Sequence, residues 1–199
     1  MLRKLIVVVA LLSAAFCTPV AMAMSVTIES DHQTVARINT DPLSVEYLDG
    51  GSFKRLQGSC KQDKCRFLDG QNGLVAEVKY YDDKIKLRTR VPSGEIKFKA
   101  RGDKWKVIVN GDEENPLEIK KKGDKLELYK VDAGARTEVG KIQIAQDYGS
   151  LKIKNADKQT RYRIDDTQLR PVYGVLLDDR MYPLQRYVLI GALLYRHLP

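Results

Sequence analysis

From Asp83 to Ile164 the chain alternates apolar and charged residues, as in Lys84-Ile85-Lys86-Leu87-Arg88 and Lys125-Leu126-Glu127-Leu128. Strict alternation gives a strand one wet face and one dry face. The rhythm then changes: from Tyr187 to Tyr195 the residues are apolar on every side. A helix without a polar face must be surrounded. Pro183 suits the first turn of such a helix, and no further proline interrupts it before Pro199, which predicts a helix over 183–198. The stretch is too short to cross a bilayer, so a buried core helix is expected. Together these patterns predict a mainly β fold, an antiparallel meander closing into a barrel around a hydrophobic C-terminal helix.

The alternation is organised as a repeat. Asp83-Lys84-Ile85-Lys86, Asp103-Lys104-Trp105-Lys106, Asp124-Lys125-Leu126-Glu127 and Gly149-Ser150-Leu151-Lys152 recur with a period of a little over twenty residues. Each unit holds two alternating runs. Lys84–Arg90 meets Glu95–Ala100, Lys104–Val109 meets Leu117–Lys120, Lys125–Val131 meets Lys141–Ile144, and Leu151–Lys154 meets Arg161–Ile164. Turn formers such as Val91-Pro92-Ser93-Gly94 and Asn155-Ala156-Asp157-Lys158 lie between them. The repeated hairpins span 83–170. Weaker strand candidates precede them at Val26–Glu29, Val35–Asn39, Ser44–Leu48, Arg66–Leu68 and Leu74–Tyr80. Ten to thirteen strands would leave exposed edges in an open sheet, and closure removes them. A solenoid would need parallel units, which turns this short do not allow.

The N-terminus predicts export. Met1-Leu2-Arg3-Lys4 is a positive opening, Leu5–Phe16 an apolar stretch too short for a bilayer, and Ala21-Met22-Ala23 a small-residue cleavage site. Residues 1–23 are therefore expected to be a signal peptide, and 24–199 one β-barrel-like domain in the periplasm or outside the cell. Phe16 before Cys17 does not suit a lipoprotein signal. Removing the signal leaves Cys60 and Cys65, and an even pair in an exported chain is most simply a disulfide. A redox centre would more often space them by two residues. A zinc site would need further ligands, and His32 and His197 lack metal-like spacing to the cysteines, so neither metal nor cofactor is expected.

Charge supplies the one candidate binding surface. The chain carries +8, and the signal peptide holds two of those charges, leaving about +6 (8 − 2). If Ile85, Leu87, Ile96, Phe98, Trp105 and Val107 face inward, then Lys84, Lys86, Arg88, Arg90, Lys97, Lys99, Lys104 and Lys106 face outward across three adjacent strands. Such a face suits the phosphates of lipid or lipopolysaccharide, or cell-wall carboxylates, with salt-sensitive affinity. The same lysines also keep a β surface soluble and discourage edge pairing. A buried Trp105 would not stack on bases, so nucleic acid is not expected.

A meander of short antiparallel hairpins around a hydrophobic C-terminal helix resembles the tubby-like barrel, shared by tubby, LURP-one-related and scramblase-like proteins. The resemblance covers roughly Leu74 to Leu198 and is one of pattern. It implies the barrel and its central helix. It carries over no ligand residues, and the calcium ligands and cysteine-rich segment of scramblases have no counterpart here.

Catalytic signals are thin. Asp112-Glu113-Glu114 lacks the alternating spacing of a calcium loop and reads as a solvated turn. Asp165-Asp166 and Asp178-Asp179 could serve a carboxylate-dependent hydrolase, yet they sit where turns and caps are expected. Serine-nucleophile and phosphate-loop motifs do not occur. The expectation is a non-enzymatic binding or structural protein of the cell envelope, with binding of anionic lipid or lipopolysaccharide through the strand face as its more specific form.

Overall fold

A computed structural model describes residues 23–147 and 149–196. The expected signal peptide and its expected cleavage site lie outside the described residues, apart from Ala23, as do His197, Leu198 and Pro199.

Fourteen strands form one closed antiparallel barrel in sequence order, and β1 returns to pair with β14. They are β1 Ser25–Ser30, β2 Gln33–Thr40, β3 Leu43–Asp49, β4 Ser52–Lys61, β5 Lys64–Leu68, β6 Leu74–Tyr80, β7 Lys84–Arg90, β8 Ser93–Arg101, β9 Lys104–Val109, β10 Leu117–Lys122, β11 Lys125–Asp132, β12 Ala135–Ile144, β13 Leu151–Asn155 and β14 Thr160–Ile164. All four expected hairpins form. Their apolar positions face inward: Ile85, Leu87, Ile96, Phe98, Trp105 and Val107 are buried. Charged residues alternate with them on the outside. A barrel that spans an outer membrane has the reverse polarity, apolar outside and polar within. No described helix is long and apolar enough to cross a membrane.

Helix α1, Pro183–Tyr195, fills the lumen. Val188, Leu189 and Ile190 succeed one another around the helix, and all three are fully buried. A Cβ on Gly191 would lie 2.9 Å from Val45 Cγ2, so the missing side chain lets the helix approach β3. The first turn is closed by Gln185, whose Oε1 accepts a hydrogen bond from the Tyr182 backbone N–H at 3.0 Å.

The structure departs from the sequence reading in three places. The helix shares the lumen with a seven-residue 3-10 helix, Pro171–Leu177, most of it buried. That segment runs up from the end of β14, the chain reverses at Asp178–Tyr182, and α1 descends again. A barrel of fourteen strands is too wide for one helix to fill. Second, β4 exists where no strand was expected. Its inward positions, Lys54, Leu56, Gly58 and Cys60, carry only one large apolar side chain, which hides the alternation. Third, Glu113 does not simply face solvent. Its loop folds back over the outer wall, where Glu113 bonds Lys97 and Lys99 and the outward-facing Ile108 is buried.

Candidate functional site

The eight cations read from the sequence lie on the outer face of β7–β9, brought together by register. Lys84 stands opposite Lys99, and Lys99 opposite Lys106. A second row, Lys64–Lys79–Lys86–Lys97, crosses four strands from β5 to β8. Lys64 and Lys79 belong to this surface although the sequence reading did not include them. Only the β5–β6–β7 register reveals that they align with Lys86.

Carboxylates are threaded between these cations. Glu95 Oε2 is 2.8 Å from Lys86 Nζ and 3.0 Å from Arg88 Nε. Glu113 is 3.2 Å from Lys97 and 3.0 Å from Lys99. Glu118, nearly buried, lies 3.2 Å from Lys106 and 2.6 Å from Arg136. Much of the apparent charge is therefore compensated locally. Among the described carboxylates Lys84 reaches only Asp83, at 4.0 Å, and its ammonium lies 5.3 Å from the Tyr81 ring centroid. Among the described residues Arg90 and Lys104 have no carboxylate within 4 Å. These three, at the two ends of the face, are the cations most available to an external anion.

Arg90 also opens onto a second feature. At the barrel end where the β3–β4, β5–β6 and β7–β8 turns meet, a hollow of about 570 Å³ lies over Leu184 at the start of α1. Tyr47, Leu56, Leu74 and Val75 line it, and Lys54, Arg55, Asp49 and Asp69 edge it. Phe53 and Val91 also border it, and they are 47% and 78% exposed. The Arg37 guanidinium covers the Phe53 ring at 5.3 Å. Missing β4 in the sequence meant missing this site. The signal was available in Asp49-Gly50-Gly51-Ser52, a two-residue glycine turn with φ of 57° and 81° that marks a hairpin.

The paired aspartates serve the plug. Asp166 Oδ2 accepts from Tyr173 Oη at 2.5 Å and from Arg170 Nε at 3.0 Å, at the foot of the ascending segment. Burial, reinforced by the Asp166 charge, pushes the Tyr173 phenol far above its ordinary range, so it stays a donor. Asp178 is buried and takes both arms of Arg180, at 2.8 and 2.7 Å. Arg180 in turn donates to the Asn115 carbonyl on the β9–β10 loop. One aspartate fixes the plug where it enters and the other where it reverses.

Cys60 and Cys65 are joined as a disulfide across β4 and β5. Among the described residues no group of three or more His, Cys, Asp or Glu could hold a metal ion. Trp105 is buried and turned away from the basic face.

The fold and surface define a class, a closed antiparallel barrel plugged by its own C-terminal segment and basic along one wall. No family model matches the chain, and no match was found among curated proteins or solved structures.

Proposed function

We propose that this chain is an exported, non-enzymatic binding component of the cell envelope that engages anionic envelope material, lipid or lipopolysaccharide, through the β7–β9 face. One observation carries the reading: lysines stand directly opposite lysines in two cross-strand rows. Like charges in that position destabilise a sheet by a few tenths of a kcal/mol or more per pair. Glu77, Glu95, Glu113 and Glu118 offset part of that repulsion, and the cations left in excess, Lys84, Arg90 and Lys104 among them, favour anionic partners over long range. The tubby-like reading belongs to the same proposal, because a meander closed around a C-terminal helix is the architecture that resemblance implies.

Co-sedimentation with vesicles tests it. Binding to vesicles rich in phosphatidylglycerol, absent with phosphatidylcholine alone, should weaken between roughly 0.05 and 0.5 M NaCl as screening shortens. The triple variant Lys84→Glu, Arg90→Glu, Lys104→Glu should lose it while keeping the wild-type melting curve, since these cations anchor no close ion pair. Equal binding by that variant, or binding indifferent to salt, refutes the reading.

A further inference from the structure

Strand β4 runs past its neighbour. Pairing between β4 and β5 begins only at Gln57 opposite Leu68, so among the described residues no strand lies on the β5 side of Ser52–Leu56. On the other side these residues pair in full with β3, from Asp49 opposite Ser52 to Val45 opposite Leu56. The hydrogen-bonding phase follows from the two-residue turn. Asp49 and Ser52 close it as a bonded pair, so Lys54 and Leu56 also turn their backbone groups toward β3. Phe53 and Arg55 turn theirs the other way, toward the gap. Lys61 and Lys64 close the two-residue β4–β5 turn in the same way, so Gln57, four residues before Lys61, turns its backbone groups toward Leu68 in the same phase.

The gap is the hollow described above. Phe53, Lys54, Arg55 and Leu56 form one wall of it, and Arg90 and Val91 stand across it. Unpaired backbone donors and acceptors beside exposed apolar side chains are a template for another strand. The β5–β6 turn cannot supply one, since Asp69 folds it tightly by accepting from the Gln71 and Gly73 N–H groups at 2.9 and 2.8 Å.

We propose that the Ser52–Leu56 edge captures an extended segment of a partner protein by strand addition, and that this segment alternates apolar and acidic residues. The side-chain phase sets the alternation. Residues opposite Lys54 and Leu56 enter the hollow above Tyr47 and Leu184, where an apolar group is favoured. Residues opposite Phe53 and Arg55 emerge on the outside, where Arg90, with no described carboxylate within 4 Å, and Arg55, 3.7 Å from Glu46, favour carboxylates. In this mode main-chain hydrogen bonds supply affinity and the side-chain pockets supply specificity. The hollow falls within the size range of specific ligand pockets. A second copy of this chain is disfavoured, because the symmetric antiparallel register that pairs Phe53 with Arg55 sets Lys54 against Lys54.

The probe is the heptapeptide acetyl-Glu-Val-Glu-Leu-Glu-Val-Glu-amide, titrated into the purified protein by calorimetry with amide exchange read in parallel. One-to-one binding is expected, with slowed exchange at Phe53 and Arg55. Three controls decide the mode. A peptide N-methylated at alternate residues should lose binding, because it cannot complete the ladder. A version with Lys replacing Glu should bind at least tenfold more weakly. Arg55→Pro removes the free N–H without touching the β3 ladder, and should bind more weakly than Arg55→Ala by about three- to tenfold, the worth of one hydrogen bond. Equal binding of the N-methylated peptide, or unchanged exchange at Phe53 and Arg55, overturns the proposal. Stronger one-to-one binding of dodecyl phosphate than of the peptide also overturns it, in favour of a lipid in the hollow.

Discussion

If α1 is enclosed on all sides, no face of it should tolerate truncation, and three consecutive residues test that. Val188, Leu189 and Ile190 lie about 100° apart around the helix and together sample most of its circumference. All three are 0% exposed. Leu→Ala and Ile→Ala in fully buried sites cost about 3–5 kcal/mol, from lost transfer energy plus the cavity left behind. Val188→Ala, which removes less, should cost about 2 kcal/mol on the same reasoning. Against a stability of about 5–15 kcal/mol, each loss is large but survivable. Urea unfolding followed by the fluorescence of Trp105, the only tryptophan, reads it directly. With a urea dependence of about 2–3 kcal/mol per molar, midpoints should fall by roughly 1–2 M for Leu189→Ala and Ile190→Ala. A helix lying against the outside of a sheet would behave differently, with at least one of the three positions facing water and nearly silent. A loss below about 0.5 kcal/mol at any of the three would refute the enclosed helix, as would fast amide exchange from Val188 to Leu194.

Two further outcomes follow from the wall of the barrel. Glu127 is almost buried and held by Lys125 at 2.8 Å, Tyr129 at 2.6 Å and Lys122 at 3.4 Å. The hydrogen bond from Lys125, then those from Tyr129 and Lys122, lower its pKa to about 2. A carboxylate depressed in the folded state stabilises above its unfolded pKa, near 4.5, and loses that contribution as pH falls through about 2. Glu127→Gln should therefore cost about 1 kcal/mol at neutral pH, with the gap to wild type closing between pH 4.5 and 2 in acid-dependent melting curves. A gap that widens toward acid would contradict the assignment. Replacing Cys60 and Cys65 together with Ala should cost about 2 kcal/mol, the chain entropy of so short a loop, in chemical unfolding under non-reducing conditions. An unchanged midpoint would show that the bond adds nothing to the folded barrel.

Legibility in the sequence followed local pattern. The β7–β14 hairpins were readable because Ile85, Leu87, Ile96 and Phe98 alternate with cations without a break. Helix α1 was readable because nothing polar interrupts Val188–Leu194. The ascending 3-10 segment was not, because Pro171–Leu177 is short and its burial is decided by lumen width, a property of strand number rather than of any local run. Gly174 shows the dependence: its Cβ would lie 2.6 Å from Ile119 Cδ1 and 2.9 Å from Leu128 Cδ2. Those contacts span long stretches of chain. The basic face was legible as a list of residues but not as a surface. Glu113 and Glu118, which neutralise part of it, reach it only through a folded-back loop and through β9–β10 pairing.

The plug also constrains where function can reside. A barrel this wide would otherwise enclose a cavity or channel. Here the 3-10 helix and α1 fill it with buried apolar side chains, and Asp166 and Asp178 fix the plug where it enters and reverses. Gln185 adds a third tie, donating to Thr89 Oγ1 at 3.1 Å, while Thr89 donates to the Pro92 carbonyl at 2.6 Å. The β7–β8 turn that carries Arg90 and Val91 is thereby anchored to the helix start. A loose turn would lose conformational freedom on binding and weaken any contact it made. The filled lumen is thus the rigid support for both candidate surfaces, the lysine rows on the wall and the unpaired β4 edge at the rim. Arg90 stands where the two meet, so its charge reversal should weaken vesicle binding and peptide binding together, whereas reversing Lys104 should affect the vesicles alone.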